Sequence, residues 1–246
     1  MEPLDRSGRL GHKHVDRREN DMAARIDGPR IAAKSGTTKH LVVFLHGYGA
    51  DGNDLIEIGR QWQQWLPDAA FVSPHAPEPC GMSPTGRQWF GLTFRDPDER
   101  RRGAIAARPA LDAFLDTELQ RHGLDDSRLA LVGFSQGTMM ALHVGLRRLR
   151  PPAALLGYSG TLVAPELLAE ATGKPPILLV HGDQDDVIPL DALFAAADDL
   201  AKAEIPCQWH LSPGIGHGID GGGLMHGGLF LAQALTGLTP EAKASR

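Results

Sequence analysis

Short, unbroken apolar runs punctuate this chain, and longer stretches with helical spacing separate them. The runs are 41–45 (Leu-Val-Val-Phe-Leu), 69–72 (Ala-Ala-Phe-Val), 129–134, 154–158 and 177–180. Runs this short and this continuous suit strands buried on both faces. Between them, 55–66, 102–121, 138–149, 190–203 and 224–235 read as helices, with a short one at 165–171. In 102–121, Ile105, Leu111, Phe114 and Leu115 fall at helical spacing. A further strand, 207–211, is more polar and is expected at a sheet edge. The alternation predicts an α/β fold: a single domain with a mainly parallel central sheet and helices on both faces. No internal repeat is present. The stretch 73–101, rich in Pro, Gly and charge, is expected to be one long loop, and loops of that length in compact domains are usually functional or disordered.

The length, 246 residues, suits one large domain, and a hydrophobic content of 42% is enough for a substantial core. The predicted organisation is a leader over 1–38, largely disordered in its first part, a folded domain over 39–238 and a tail over 239–246. Residues 1–21 mix Arg6, Arg9, Lys13, Arg17 and Arg18 with Glu2, Asp5, Asp16, Glu19 and Asp21 and hold no apolar h-region, so they are not read as a secretory signal; Met22 is a candidate start. A net charge of −5 argues against a nucleic-acid partner. No apolar run reaches the ~20 residues of a membrane span, so no stable membrane insertion is expected. Two distant cysteines, Cys80 and Cys207, suggest neither a disulfide framework nor a zinc site and point to a reduced, cytoplasmic setting. The oligomeric state is not readable, and a homodimer stays open.

The candidate chemistry centres on Gly133-Phe134-Ser135-Gln136-Gly137, between the run 129–132 and a helical stretch. A G-x-S-x-G turn between strand and helix is a nucleophile elbow; its glycines give the turn room, and the helix points its positive end at the serine. The plainer alternative is a glycine-rich turn whose serine only caps the helix. A serine hydroxyl needs a histidine base, and that base needs an orienting carboxylate. After the run 177–180 comes His181-Gly182-Asp183-Gln184-Asp185-Asp186, where spacing leaves Asp183, Asp185 and Asp186 all open. After 207–211 comes Ser212-Pro213-Gly214-Ile215-Gly216-His217-Gly218, whose glycines let His217 bend back toward the serine. His210 is expected to be an edge or packing residue, and His226, at the last helix, is the weaker rival base. An oxyanion needs preorganised backbone donors. The Gln136 N–H follows from the elbow, and the Tyr48 N–H from the glycine-flanked loop His46-Gly47-Tyr48-Gly49.

That loop also matches a dinucleotide fingerprint, with Gly47, Gly49 and Gly52 in G-x-G-x-x-G spacing. The rival reading needs an acidic residue at the end of the second strand, where 71–77 (Phe-Val-Ser-Pro-His-Ala-Pro) has none and Asp68 lies at the wrong end. It also leaves Ser135, His217 and the aspartates without a role. A non-catalytic binding module of the same fold is the other alternative, but such a module would be expected to have lost a member of the constellation.

With these residues in view, the chain resembles the phospholipase/carboxylesterase family of α/β-hydrolases, which includes bacterial carboxylesterases and acyl-protein thioesterases. The similar blocks are 45–54, Gln88-Trp89-Phe90, 133–137, 181–185 and Gly216-His217, spread over about 39–238. The resemblance implies an α/β-hydrolase catalytic domain that cleaves small-molecule oxygen esters or thioesters without a cofactor or metal. It implies that the orienting carboxylate is Asp185, fourth after the histidine of the H-G block. It also places the Trp89 block at the acyl site. The apolar residues of the 73–101 loop, Met82, Trp89, Phe90, Leu92 and Phe94, are candidate lining residues for the acyl chain, and short to medium chains are expected because no extended hydrophobic lid helix is visible in the sequence. Two positions depart from the family pattern: Gly91 stands where an Asp often follows the aromatic pair, and Thr138 where many members have glycine.

Overall fold

The apolar runs become the strands of one sheet. The computed structural model describes residues 26–81, 83–93, 95, 96 and 98–237. In chain order the elements are β1 (Arg30–Ile31), β2 (His40–Leu45), α1 (Asn53–Trp62), β3 (Ala69–Val72), β4 (Glu78–Pro79), β5 (Arg87–Gln88) and α2 (Glu99–His122). There follow β6 (Leu129–Phe134), α3 (Gln136–Gly145), β7 (Ala154–Tyr158), β8 (Ile177–Gly182), α4 (Asp191–Lys202), β9 (Cys207–Ser212) and α5 (Gly221–Thr236). A seven-stranded sheet runs β1-β3-β2-β6-β7-β8-β9, parallel throughout except for β1, which lies antiparallel on β3.

Both faces of the sheet are covered, and the two-residue period of a strand divides them. Leu41, Val43, Leu45, Leu129 and Leu131 join one apolar cluster with residues of α2, α3 and α4. Val42, Phe44, Ala130 and Val132 join a second with residues of α1 and α5. Every residue of β2 is buried, which is why the run reads as continuously apolar instead of alternating. At the far end β9 keeps Gln208 and Trp209 exposed, as an edge strand does. The chain moves from β2 out to β3, then returns to place β6 on the other side of β2. That reversal makes the carboxyl ends of β2 and β6 a topological switch point, where ligands of open α/β sheets bind.

Several elements differ from expectation. The stretch 73–101 is not one irregular loop: β4 and β5 pair in it as a small antiparallel hairpin, with Glu78 opposite Gln88 and Pro79 opposite Arg87, and α2 already starts at Glu99. Strands of two residues carry no readable period, and the same holds for β1, which lies in the stretch assigned to the leader. The helix of the elbow ends at Gly145, short of 149. The short helix after β7 is a tighter 3-10 turn over Pro165–Glu170. Among the described residues, no helix is long and apolar enough to cross a membrane.

Candidate active site

Ser135 sits where β6 turns into α3, with φ 53° and ψ −115°. A side chain at positive φ is strained by roughly 1–3 kcal/mol. The turn tolerates it because nothing else fits: a Cβ on Gly137 would lie 1.8 Å from the Leu45 carbonyl oxygen, so β2 passes hard against the elbow. The Ser135 N–H donates to Tyr158 O at 2.9 Å, tying the turn to the end of β7. Thr138, in the first turn of α3, places its hydroxyl 2.9 Å from Gly133 O and 2.8 Å from Tyr158 O. The threonine hydroxyl is therefore a buried brace behind the serine.

The three aspartates after β8 separate cleanly. Asp183 Oδ1 accepts from Gly214 N at 2.7 Å, bracing the turn before His217. Asp186 is exposed. Asp185 is buried, accepts from the Val187 and Ile188 amides at 2.9 and 2.8 Å, and takes a hydrogen bond from His217 Nδ1 at 2.8 Å. Burial by itself would raise the Asp185 carboxyl, but the Ile188 amide, the His217 imidazole and the Val187 amide together hold it below the usual carboxylate range. His181 Nε2 stands 3.4 Å from Asp185 Oδ2 and hydrogen-bonds the Ile188 carbonyl oxygen at 2.8 Å. A glycine at 182 lets this loop close, since a Cβ there would meet the Ile215 carbonyl oxygen at 2.2 Å.

His217 lies beside the elbow, its ring 5.0 Å from that of Phe134. With Nδ1 bonded to Asp185, Nε2 is the nitrogen left for proton transfer. No hydrogen bond joins Ser135 and His217 among the described residues, a contact that in ligand-free sites often forms only with substrate bound. His226 is elsewhere: it is exposed on α5 and its ring packs 4.2 Å from that of His210. Ser159, which the sequence reading missed, holds φ 44° at the end of β7 and donates from Oγ to Gly218 O at 3.3 Å, next to His217. The sequence offers no periodic or motif signal for it.

The loop after β2 meets the elbow from the other side. A Cβ on Gly47 would stand 3.4 Å from Ser135 Cβ, so the peptide leading to Tyr48 lies against the serine. His46 is fully buried and is held by both ring nitrogens: the Ala76 N–H donates to Nε2 at 3.0 Å, and Nδ1 lies 2.8 Å from Gly47 O. Because Nε2 accepts, the proton is on Nδ1, which donates to the Gly47 carbonyl. That carbonyl shares a trans peptide unit with the Tyr48 N–H, and the two point in opposite directions, so pinning one aims the other. Burial pushes the His46 imidazole down to about 4, keeping it neutral. Gln136 supplies the first N–H of α3, which has no acceptor inside the helix.

The expected acyl-lining residues divide. Trp89 and Phe90 are not exposed on a loop: they are 1% and 4% exposed and belong to the core cluster under α2. The Trp89 indole N–H donates to His46 O at 3.0 Å, and its backbone N–H donates to Gln136 Oε1 at 3.0 Å. Hydrogen bonds to the distant His46 and Gln136 hold the pair inside, and the loop composition does not reveal them. Leu92 is half-buried against the same cluster. Met82 and Phe94 lie outside the described residues. A cavity of about 390 Å³, lined in part by Asp51, His75 and Arg87, contains neither Ser135 nor His217, so convergent chemistry marks this site better than cavity volume does. No cluster of three or more metal-ligating side chains occurs among the described residues.

The chain is similar to known proteins over most of its length. Residues 26–235 match the family described as phospholipase/carboxylesterase. Over 183 residues the chain is 31% identical to esterase YpfH of Escherichia coli K12, covering 74% of this chain and 77% of the relative. It is 26% identical over 196 residues to acyl-protein thioesterase 1 of Gibberella zeae, covering 72% and 82% of the two chains. The crystal structure of esterase PE8 superposes with a TM-score of 0.83 at 46% identity, covering 86% of this chain and all of that one.

Proposed function

Because the chain belongs to the phospholipase/carboxylesterase family and is a carboxylic ester hydrolase, we propose that it works as a serine esterase with Ser135 as nucleophile, His217 as base and Asp185 as the orienting carboxylate. The observation that carries this reading is the 2.8 Å bond from His217 Nδ1 to buried Asp185, beside a serine held at positive φ. The ester carbonyl docks against the N–H groups of Tyr48 and Gln136. His217 Nε2 removes the Ser135 proton as Oγ attacks the acyl carbon, and the two amides take up the charge that develops on oxygen. His217 then protonates the departing alcohol or thiol, leaving an acyl-serine, which a water molecule cleaves by the same route. The cycle needs protein groups and water alone.

The acyl chain runs past Leu92 along the β4–β5 side of the site, and short to medium chains fit best. The support is the insertion after β3, whose described residues form a small hairpin and no apolar lid helix. Thioesters are substrates of the same machinery, a reading favoured by the similarity to acyl-protein thioesterase 1. A reduced cytoplasmic setting belongs to the same proposal, with Cys80 and Cys207 both free thiols.

A fluorophosphonate probe should label Ser135, and Ser135→Ala should lose labelling and about a million-fold in turnover while keeping the thermal midpoint. Labelling that survives the substitution refutes the assignment. Turnover of oxygen esters and thioesters from acetyl to octanoyl then defines the acyl preference; a rate that climbs through octanoyl contradicts the short-to-medium reading.

A further inference from the structure

The two oxyanion donors lie on separate segments, one after β2 and one at the start of α3, and their spacing must hold to a fraction of an ångström. We propose that Trp89 is the positioning residue that fixes it, bonding one segment with its indole and the other with its backbone. This rests on the oxyanion-hole assignment above.

On the first side, the indole N–H holds the His46 carbonyl at 3.0 Å. The Trp89 ring also packs against the His46 imidazole, centroids 5.6 Å apart. His46 in turn pins the Gly47 carbonyl and so aims the Tyr48 N–H. On the second side, the Trp89 N–H donates to Gln136 Oε1, and Gln136 Nε2 donates to Phe90 O at 2.8 Å. The Gln136 side chain is thus closed onto the Trp89–Phe90 backbone at both ends. Gln136 uses its own backbone N–H for the oxyanion and its side chain for this clamp. His46, Gly47, Trp89, Phe90 and Gln136 are all buried, where a fixed hydrogen bond competes with no water and misalignment has no cheap substitute. A large aromatic ring with one donor at its edge suits the role: it is rigid, and 1% exposure leaves it no surface for an acyl chain.

The test uses Trp89→Phe, which keeps an aromatic ring and loses the indole N–H. A second variant carries benzothienylalanine at position 89, which changes only that N–H to sulfur and preserves the ring shape. Removing one oxyanion donor costs about a hundred- to a thousand-fold. A donor misaimed but present should cost about ten- to a hundred-fold in kcat, with KM within about twofold. The loss should be equal for acetate through octanoate esters. Affinity for a trifluoromethyl ketone, whose hemiketal oxygen needs the same two donors, should fall by the same factor. If the benzothienyl protein keeps kcat and inhibitor affinity within about twofold of wild type, the proposal is overturned. A loss graded with chain length overturns it as well and makes Trp89 an acyl contact. Fluorophosphonate labelling of wild-type Ser135, run in parallel, separates the outcomes: absent labelling removes the active-site assignment itself, whereas intact labelling with unchanged variant kinetics removes only the role of Trp89.

Discussion

At the scale of single residues, burial decides between side chains that the sequence presents as equals. Asp183, Asp185 and Asp186 share one loop, yet only Asp185 is buried with two amide donors and an imidazole on its carboxylate. Asp185→Asn should reduce kcat about ten-thousand-fold, because an amide there stabilises the wrong imidazole tautomer. Asp186→Asn should be near neutral, and Asp183→Asn should cost little, since an amide oxygen can still accept from Gly214 N. The same assay on the histidines should find His217→Ala severe and His226→Ala mild, since the exposed His226 packs on His210, away from Asp185. A severe loss at Asp183 or Asp186 would show the register of the loop to be wrong.

At the scale of elements, the elbow is a strand–turn–helix unit whose tightness is set by its neighbour β2. Gly137→Ala puts a Cβ 1.8 Å from a β2 carbonyl oxygen, and backbone cannot step aside as a flexible side chain can. The substitution should lower stability by about 1–3 kcal/mol or more and abolish turnover by moving Ser135. Gly81→Ala, with nothing among the described residues within 4 Å of the added carbon, is the control and should match wild type in both urea midpoint and activity. The G-x-S-x-G pattern was legible because the turn needs those glycines locally. The hairpin β4–β5 was not, because two-residue strands have no period and are defined by what they pair with.

At the scale of the molecule, two fully buried histidines link stability to pH. Burial lowers the His46 imidazole to about 4, and burial followed by the Arg147 and Arg108 charges lowers His143 to about 4. The folded chain therefore binds these protons more weakly than the unfolded chain, whose imidazoles titrate near 6.5. Their stabilising contribution is complete above pH 6.5 and is lost as pH falls from 6.5 toward 4, on the order of 3 kcal/mol for each histidine. The thermal midpoint should fall across that window before most carboxylates titrate. His143→Gln, which cannot titrate, should make the fall shallower; a midpoint level from pH 7 to 4.5 in wild type would contradict the linkage.

Local chemistry was enough to define the parallel α/β architecture, the elbow at Ser135 and the glycine-rich settings of Tyr48 and His217, because strand burial, helix period and turn geometry act over a few residues. The family resemblance pointed to Asp185 among the three aspartates, and Asp185 is the one of the three that folding buries. What only tertiary structure decided concerns groups brought together from afar: β1 at the sheet edge, Ser159 beside Gly218, and above all Trp89. Composition places Trp89 on a polar, proline-rich loop and suggests an exposed apolar surface. Folding carries it into the core, where hydrogen bonds to His46 and Gln136, separated from it by 43 and 47 residues, determine its place. Side chains whose partners are that distant leave no periodic trace in sequence, since their positions follow from packing and hydrogen-bond satisfaction across the whole domain.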